Sequence, residues 1–361
     1  MRVALLTSWN ERCGIADYSH RLIEELCRHV EVEVVPATFL SSPAAVYRAM
    51  ARALELGDVA HVQHSYAFFG GMHPLRSGWR AFARTMRRPL VLTVHELDQR
   101  PTGAYHLPPP VELAYKRWFN RRVFADPAIS RWMVHAASYV EALAGLGVPE
   151  ERVVYRPIPV PSPPVAPGDG AGFRRRHGLD RKRVLVIMGF LARRKGYDVA
   201  LAALRSLPSE YVLVAAGGEH SADRSGTEAW LHQEAERLGV ADRFQITGFL
   251  DDATLEAATA AADVVLAPFR EMSASASLNH ALARGRAVIA SDLAENRRLP
   301  CVRLFAAGDV SALARTIQEV CGSTEVRHRL EQAAREYSTQ HSFRALAEVT
   351  VQLYRSVSPL P

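Results

Sequence analysis

The sequence predicts an α/β protein of two doubly wound domains in tandem, on three observations. Short apolar runs alternate with longer stretches of helical spacing along the whole chain, the pattern of parallel sheets covered on both faces. The alternation breaks once, between Arg156 and Gly172, where Pro157, Pro159, Pro161, Pro163, Pro164 and Pro167 crowd together with Gly168 and Gly170. No helix or central strand tolerates that density. The length, 361 residues, fits two domains at roughly 100–200 residues each. The expected boundaries are 1–160, 161–340 and a closing helical segment, 341–361.

In the first half, Met1 to Thr7 reads as a buried strand and Tyr18 to His29 as a helix, with Leu22, Ile23 and Leu26 on one face. Val30 to Val35 is a strand, Ala44 to Leu56 a helix, Val59 to Gln63 a strand, Gly78 to Met86 a helix and Leu90 to Val94 a strand. Tyr115 to Val123 is helical. Phe124 to Ile129 is strand-like, and Arg131 to Leu146 is expected to be helical. In the second half, strands are expected at Val184 to Met188, Tyr211 to Ala216, Phe244 to Thr247, Val264 to Ala267 and Ala287 to Ala290. Helices are expected at Tyr197 to Leu204, Thr227 to Leu238, Leu255 to Ala262, Ser275 to Ala283, Val310 to Cys321, Glu325 to Tyr337 and Phe343 to Tyr354. In such sheets ligands bind beyond the C-terminal strand ends, where the strand order reverses, so two such domains imply a cleft between those ends.

Composition narrows the function classes. Hydrophobic residues make up 48% and charged residues 23%, the balance of a folded globular protein. No apolar run approaches the roughly 18 residues of a membrane span. The first residues read as a strand rather than a signal peptide, so a cytoplasmic location is expected. Cys13, Cys27, Cys301 and Cys321 are scattered, which excludes a disulfide scaffold and a cysteine zinc site. The net charge of +6 suits anionic ligands.

One segment carries anion chemistry. Gly189 follows a strand, and Arg193, Arg194 and Lys195 precede Gly196 and a helix. Glycine at a strand end lets backbone approach a ligand. Helix N-termini favour anions, so three cations there fit a bound anion better than an empty turn. The plainer alternative is a solvated basic turn. Glu271, Met272, Ser273, Ala274, Ser275, Ala276 and Ser277 follow another strand; their small side chains would leave backbone N–H groups free to cradle phosphate. An N-cap explains one of those serines. Gly14 lies after the first strand, but the G-x-G-x-x-G fingerprint is absent there, which disfavours a nicotinamide enzyme. His64 and His95 each end a strand; each alone is compatible with a structural histidine.

These residues together resemble a GT-B glycosyltransferase of the glycosyltransferase family 4 type. The resemblance covers nearly the whole chain and is strongest from Val184 to Asp292. Gly189 to Gly196 is similar to the family's donor phosphate site, with Lys195 at its lysine. Val240 to Leu250, including Phe249 and Leu250, resembles the segment whose backbone reads the nucleobase. Ala262 to Pro268 leads into Glu271, similar to the first glutamate of the paired-glutamate motif. Gly14 and His95 resemble the N-domain's phosphate-facing glycine and sugar-facing histidine. The last helix resembles the one that crosses back to the N-domain.

There are two departures. Phe190 stands where the family has an arginine, a charge that Arg193 or Arg194 would supply from a displaced position. Asn279 stands where the second glutamate would hold the ribose; it keeps an acceptor oxygen but is neutral and shorter. The segment Gln63 to Gly71 and the serine-rich stretch together resemble a bacterial subgroup that also lacks that glutamate.

The resemblance implies retaining transfer of a sugar from a nucleotide sugar donor to a hydroxyl acceptor, without metal or other cofactor. No D-x-D is present. It assigns Lys195 with Arg193 or Arg194 to the diphosphate, and the backbone at Ser273, Ser275, Ala276, Ser277 and Gly14 to its cradle. Glu271 would hold donor-sugar hydroxyls, and His95 would bind the sugar from the N-domain. The acceptor falls to the N-domain, with Tyr18, Gln63 and His64 as its expected contacts. Arg76, Arg80, Arg84 and Arg88 recur every fourth residue beside Trp79 and Phe82. That pattern fits a helix on an anionic membrane surface, or simply a solvated helix face. Nucleic acid is disfavoured for want of basic residues interleaved with aromatic platforms. The competing readings are a catalytically silent GT-B protein that binds a nucleotide sugar or a partner, and a sugar-nucleotide epimerase.

Overall fold

The computed structural model describes residues 1–10, 13–37, 42–73, 75–102, 105, 107–161, 168–219, 226–271 and 275–358. The chain divides into two units, Met1–Pro159 with Phe343–Pro361, and Val160–Ser342. Each contains one six-stranded sheet whose paired strands are all parallel.

The first unit runs β1 (Arg2–Thr7), α1 (Gly14–Leu26), β2 (Glu31–Pro36), α2 (Ala44–Leu54), β3 (Val59–His64), α3 (Trp79–Ala83), β4 (Leu90–Val94), α4 (Pro109–Phe124), β5 (Ile129–Val134), α5 (Ala137–Leu146) and β6 (Val153–Tyr155). The sheet order is β2-β1-β3-β4-β5-β6, which reverses direction between β1 and β3. Strand alternation splits the core. Ala4, Leu6, Ala60, Val62, Leu92 and Val94 meet α2 to α5 on one face. Val3, Leu5, Val59, Val91 and Met133 meet α1 and the C-terminal helix Phe343–Val357 on the other.

The second unit runs α6 (Gly170–Arg176), β7 (Arg183–Met188), α7 (Tyr197–Arg205), β8 (Tyr211–Ala216), α8 (Thr227–Leu238), β9 (Phe244–Ile246), α9 (Asp252–Ala261), β10 (Val264–Ala267), α10 (Ala276–Ala283), β11 (Val288–Ser291), β12 (Val302–Phe305), α11 (Val310–Gly322) and α12 (Thr324–Gln340). Its order is β12-β11-β10-β7-β8-β9, with the reversal between β7 and β10. Leu185, Ile187, Val264 and Leu266 bury one face against α7, α8 and α11. Val184, Val186, Val265 and Ala267 bury the other.

Several expectations need correction. Arg131 to Val134 is strand, not helix: β5 takes the apolar Trp132, Met133 and Val134, and the helix begins only at Ala137. α3 is five residues long, so Arg76, Arg80, Arg84 and Arg88 do not share one helix. The backbone N–H of Arg88 instead bonds Glu55 Oε1 at 3.2 Å. α6 starts at Gly170, inside the Pro/Gly stretch, because Asp169 caps it by accepting from Gly172 N–H at 2.7 Å. Among the described residues no helix is long and apolar enough to cross a membrane.

Candidate active site

In the second unit the reversal point lies between β7 and β10, so the loops after these strands run side by side. A Cβ at Gly196, whose φ is +69°, would stand 1.9 Å from the Pro268 carbonyl oxygen. That contact locks the two loops together and requires glycine. Arg270 N–H donates to the Arg194 carbonyl at 2.8 Å, and the Arg270 guanidinium pairs with Asp198.

Lys195 ends the single 3₁₀ turn Arg193–Lys195 and is only 7% exposed. Its ammonium donates to the Met188 carbonyl. A Cβ on Gly189 (φ +87°) would sit 2.7 Å from that Nζ and 3.9 Å from Ser277 Cβ. Burial first, then the charge of Arg194, pushes the Lys195 pKa down to about 8. Among the described residues no acid pairs with Lys195. A buried ammonium held only by a carbonyl is stabilised by an anion arriving beside it.

The loop after β8 joins this place. Gly217 has φ +155°, and a Cβ there would meet the Gly189 carbonyl at 2.4 Å. Leu191 N–H donates to Gly218 O at 3.0 Å. A Cβ on Gly218 would lie 3.1 Å from Phe249 N, so the loop after β9 closes in as well. Phe190 and Phe249 remain 46% and 79% exposed at the ends of β7 and β9. Leu250 packs its side chain against the core, leaving its backbone for any ligand contact.

Arg193 lays its guanidinium over Trp230, 4.2 Å from the ring centroid, while Arg194 is exposed. Ser275 caps α10: its Oγ accepts from Leu278 N–H at 3.2 Å and lies 3.0 Å from Ser277 Oγ. Ala276 opens the helix, and Asn279 is half-buried on its first turn, its N–H bonded to Ser275 O at 3.0 Å. Glu271 is exposed four residues past β10. Ser273, with Met272 and Ala274, lies outside the described residues.

The first unit gathers a polar network on the α1 face of its sheet. His95 Nε2 donates to Gln63 Oε1 at 2.7 Å. Because an amide oxygen only accepts, the other nitrogen of a neutral His95 ring is an acceptor. His135 Nδ1 donates to the Arg156 carbonyl at 2.8 Å, so its Nε2 accepts from the Tyr18 hydroxyl at 2.9 Å. The Tyr18 ring meets His95 edge-on at 4.8 Å. His61 bonds Tyr354 and Thr93 at 2.5 and 2.8 Å. Burial holds the His95 pKa well below the ordinary histidine value and pushes His135 down to about 4.

His64 does not join this network. It follows Gln63, so alternation turns it to the opposite face, where it is 1% exposed among Tyr66, Phe69, Trp79 and Phe124. It is a core residue, not an acceptor contact. Gly14 opens α1 in open space; its neighbour Cys13 caps the helix through Sγ, which accepts from Ala16 N–H at 3.4 Å.

Residues 182–323 match the family described as Glycosyl transferases group 1. The chain is 26% identical to the 2-deoxystreptamine glucosyltransferase of Streptomyces kanamyceticus over 279 residues, 72% of this chain and 70% of that one. Its fold superposes on Anabaena HepE in complex with UDP, with a TM-score of 0.75 and 17% identity over 99% of this chain and 100% of that one. HepE in complex with UDP-glucose gives a TM-score of 0.70 at 17% identity, over 98% and 99% of the two chains. The chain has the GT-B fold, and part of its second unit is similar to the glycosyl transferases group 1 family. The matched residues include the whole place built around Lys195.

Within the GT-B second unit, the structure brings together Gly189, Lys195 and Ser277, with Ser275 beside Ser277. Tyr18, Gln63 and His95 gather separately in the first unit. Sequence reasoning missed His61, His135 and Tyr354, because their network spans elements far apart in the chain. It also missed Gly217, whose Gly-Gly pair directly after an apolar strand was the available signal. Among the described residues no three His, Cys, Asp or Glu side chains gather as a metal site.

Proposed function

We propose that this protein is a retaining glycosyltransferase that moves a hexosyl group from a nucleoside-diphosphate sugar to a hydroxyl acceptor without metal. The observation that carries the reading is the buried Lys195 ammonium set against Gly189 and Ser277, with no acid paired to it among the described residues. The site needs an anion, and a leaving diphosphate supplies one whose charge grows as the bond breaks. Preorganised cations and N–H dipoles are the largest single aid to that step.

In this reading Lys195 and Arg194 hold the diphosphate, with N–H groups of α10's first turn completing the cradle. Arg193, stacked on Trp230, steadies the loop. The backbone from Thr247 to Leu250 receives the nucleobase, and Asn279 faces the ribose. Glu271 holds donor-sugar hydroxyls. As the sugar's anomeric carbon leaves the phosphate oxygen, the acceptor oxygen bonds it on the same face, and the acceptor proton passes to the departing phosphate. Neutral His95, oriented by Gln63, binds the sugar, and Tyr18 stands beside it for the acceptor. HepE binds UDP and UDP-glucose, and the streptomycete relative is a glucosyltransferase, so UDP-glucose is the first donor to try.

The test is a calorimetric screen of nucleoside diphosphates and their sugars, followed by donor turnover in excess chelator. Binding of one nucleotide with turnover in chelator is expected. A reaction that needs magnesium or manganese would overturn the metal-free part. Binding without any turnover or donor hydrolysis would favour a silent binding protein.

A further inference from the structure

The sequence marked a run of arginines whose use the site above does not absorb. The structure gathers some of them with others from distant elements. Arg48 of α2, Arg80 and Arg84 at α3 and Arg122 of α4 line one groove of about 830 Å³. Arg48, Arg80 and Arg84 make no ion pair or side-chain hydrogen bond among the described residues. Among the described residues lining the groove the one acid is Asp126, whose Oδ2 accepts from Trp79 Nε1 at 3.1 Å and Oδ1 from Ala128 N–H at 3.0 Å. Four arginines therefore line one groove with a single carboxylate, which leaves an excess of positive charge. Arginine's planar fork matches phosphate oxygens in pairs.

Two large, solvent-exposed apolar side chains line the same groove. Leu75 is 90% exposed and Trp118 is 46% exposed, with the Arg122 guanidinium 4.9 Å from the Trp118 ring centroid. Val111, 49% exposed, lies two helical turns before Trp118 on the same stripe of α4. Exposed tryptophan and aliphatic residues interleaved with arginine are the composition of a membrane-water interface. A soluble phosphate would use the arginines but gives Leu75 and Trp118 nothing to bury. A nucleic acid strand would need a row of stacking rings, and the rim offers one. The groove reaches Asp126 and Pro127, the turn that leads into the N-terminal end of β5. The His95 network lies at the opposite, C-terminal ends of the strands.

We propose that this groove is a docking surface for an anionic lipid bilayer, in which Arg48, Arg80, Arg84 and Arg122 bind phosphate headgroups while Leu75 and Trp118 enter the interface. The inference does not depend on the donor site's function. The charge term and the apolar term are separable, since only the first is screened by salt.

The full chain should sediment with vesicles of phosphatidylcholine mixed with phosphatidylglycerol and not with phosphatidylcholine alone, and added salt should release it. Each arginine near an anionic surface strengthens adsorption about fivefold. The Arg80→Ala, Arg84→Ala pair should therefore lose on the order of 25-fold in vesicle affinity. A Leu75→Ser, Trp118→Ser pair should weaken binding while keeping its salt dependence. Unchanged melting curves and nucleotide affinity in both variants would show that the fold is intact. Three outcomes overturn the proposal: no binding to anionic vesicles, undiminished binding by the arginine variant, or arginine-dependent binding of glycerol phosphate or an oligonucleotide without vesicle binding.

Discussion

Lys195 occupies the space that a side chain at Gly189 would need: a Cβ there would stand 2.7 Å from Nζ. A glycine and a lysine six residues apart thus make a single feature. The absent side chain opens the room, and the ammonium fills it against the Met188 carbonyl.

This lysine should make nucleotide binding pH-dependent. Its folded pKa of about 8 lies below the ordinary value of 10.5. The unliganded fold therefore bears the cost of a buried charge below about pH 8 and gains stability as the pH rises from there toward 10.5. A bound diphosphate favours the charged form, so binding takes up protons near pH 8, and affinity should fall as the pH rises above it. Calorimetry in buffers of different ionisation enthalpy reads the uptake. Lys195→Met should abolish it; uptake that survives in the variant would assign the proton elsewhere.

Lys195 and Glu271 should differ in kind. Lys195→Ala should weaken binding of the free nucleoside diphosphate and slow transfer by on the order of 10²–10³-fold, as loss of one electrostatic donor does elsewhere. Glu271→Ala should leave diphosphate binding nearly unchanged yet slow transfer comparably, because in the proposed reading it holds the sugar. Parent rates in both variants would show that the site assignment is wrong.

Asn279→Glu should tighten nucleotide binding, by about 1 kcal/mol at most, through a charge-assisted bond to ribose. Titration of the variant with the diphosphate measures this. A large loss of affinity would mean that the half-buried asparagine packs rather than binds.

The first unit should be acid-labile. Burial pushes His61 and His64 down to about 3 and His135 to about 4. The unfolded chain takes up protons near pH 6.5 and the folded one does not, so stability present above that value is lost as the pH falls. For His61 and His64, which are 0% and 1% exposed, the loss approaches about 1.4 kcal/mol per pH unit each. Four of the five tryptophans, Trp9, Trp79, Trp118 and Trp132, lie in this unit, so denaturant unfolding followed by their fluorescence reports it. His64→Leu should flatten the slope. A midpoint that is constant from pH 7 to 5 would contradict the neutral assignment.

Much of the fold was legible because its signals are local. Continuous apolar runs such as Val184 to Met188 read as strands covered on both faces, and Thr227 to Leu238 shows its helical period directly. The loop after β7 was legible too: Gly189 and Gly196 bracket the cations within eight residues. Two edge strands, Val153–Tyr155 and Val302–Phe305, were not, being three and four residues long and only partly buried. Pairing with β5 and β11 makes them strands, and no local pattern encodes a pairing. Arg131 and Ser130 likewise hid β5, since both helix and strand accept them until the sheet decides.

The sequence by itself determined which residues could bind an anion. Only the tertiary structure decided which of them lie together. Strand order set the loops after β7 and β10 side by side and so put Ser277 beside Lys195, some eighty residues on. Strand phase turned Gln63 toward His95 and buried His64 among aromatic rings, though the two are adjacent in the chain. Helix packing drew Arg48 and Arg122 to Arg80 and Arg84, while Arg88 went to Glu55. The physical reason is common to all three. Residue type and spacing fix local geometry, but which surfaces meet is set by long-range burial of the two sheets' faces.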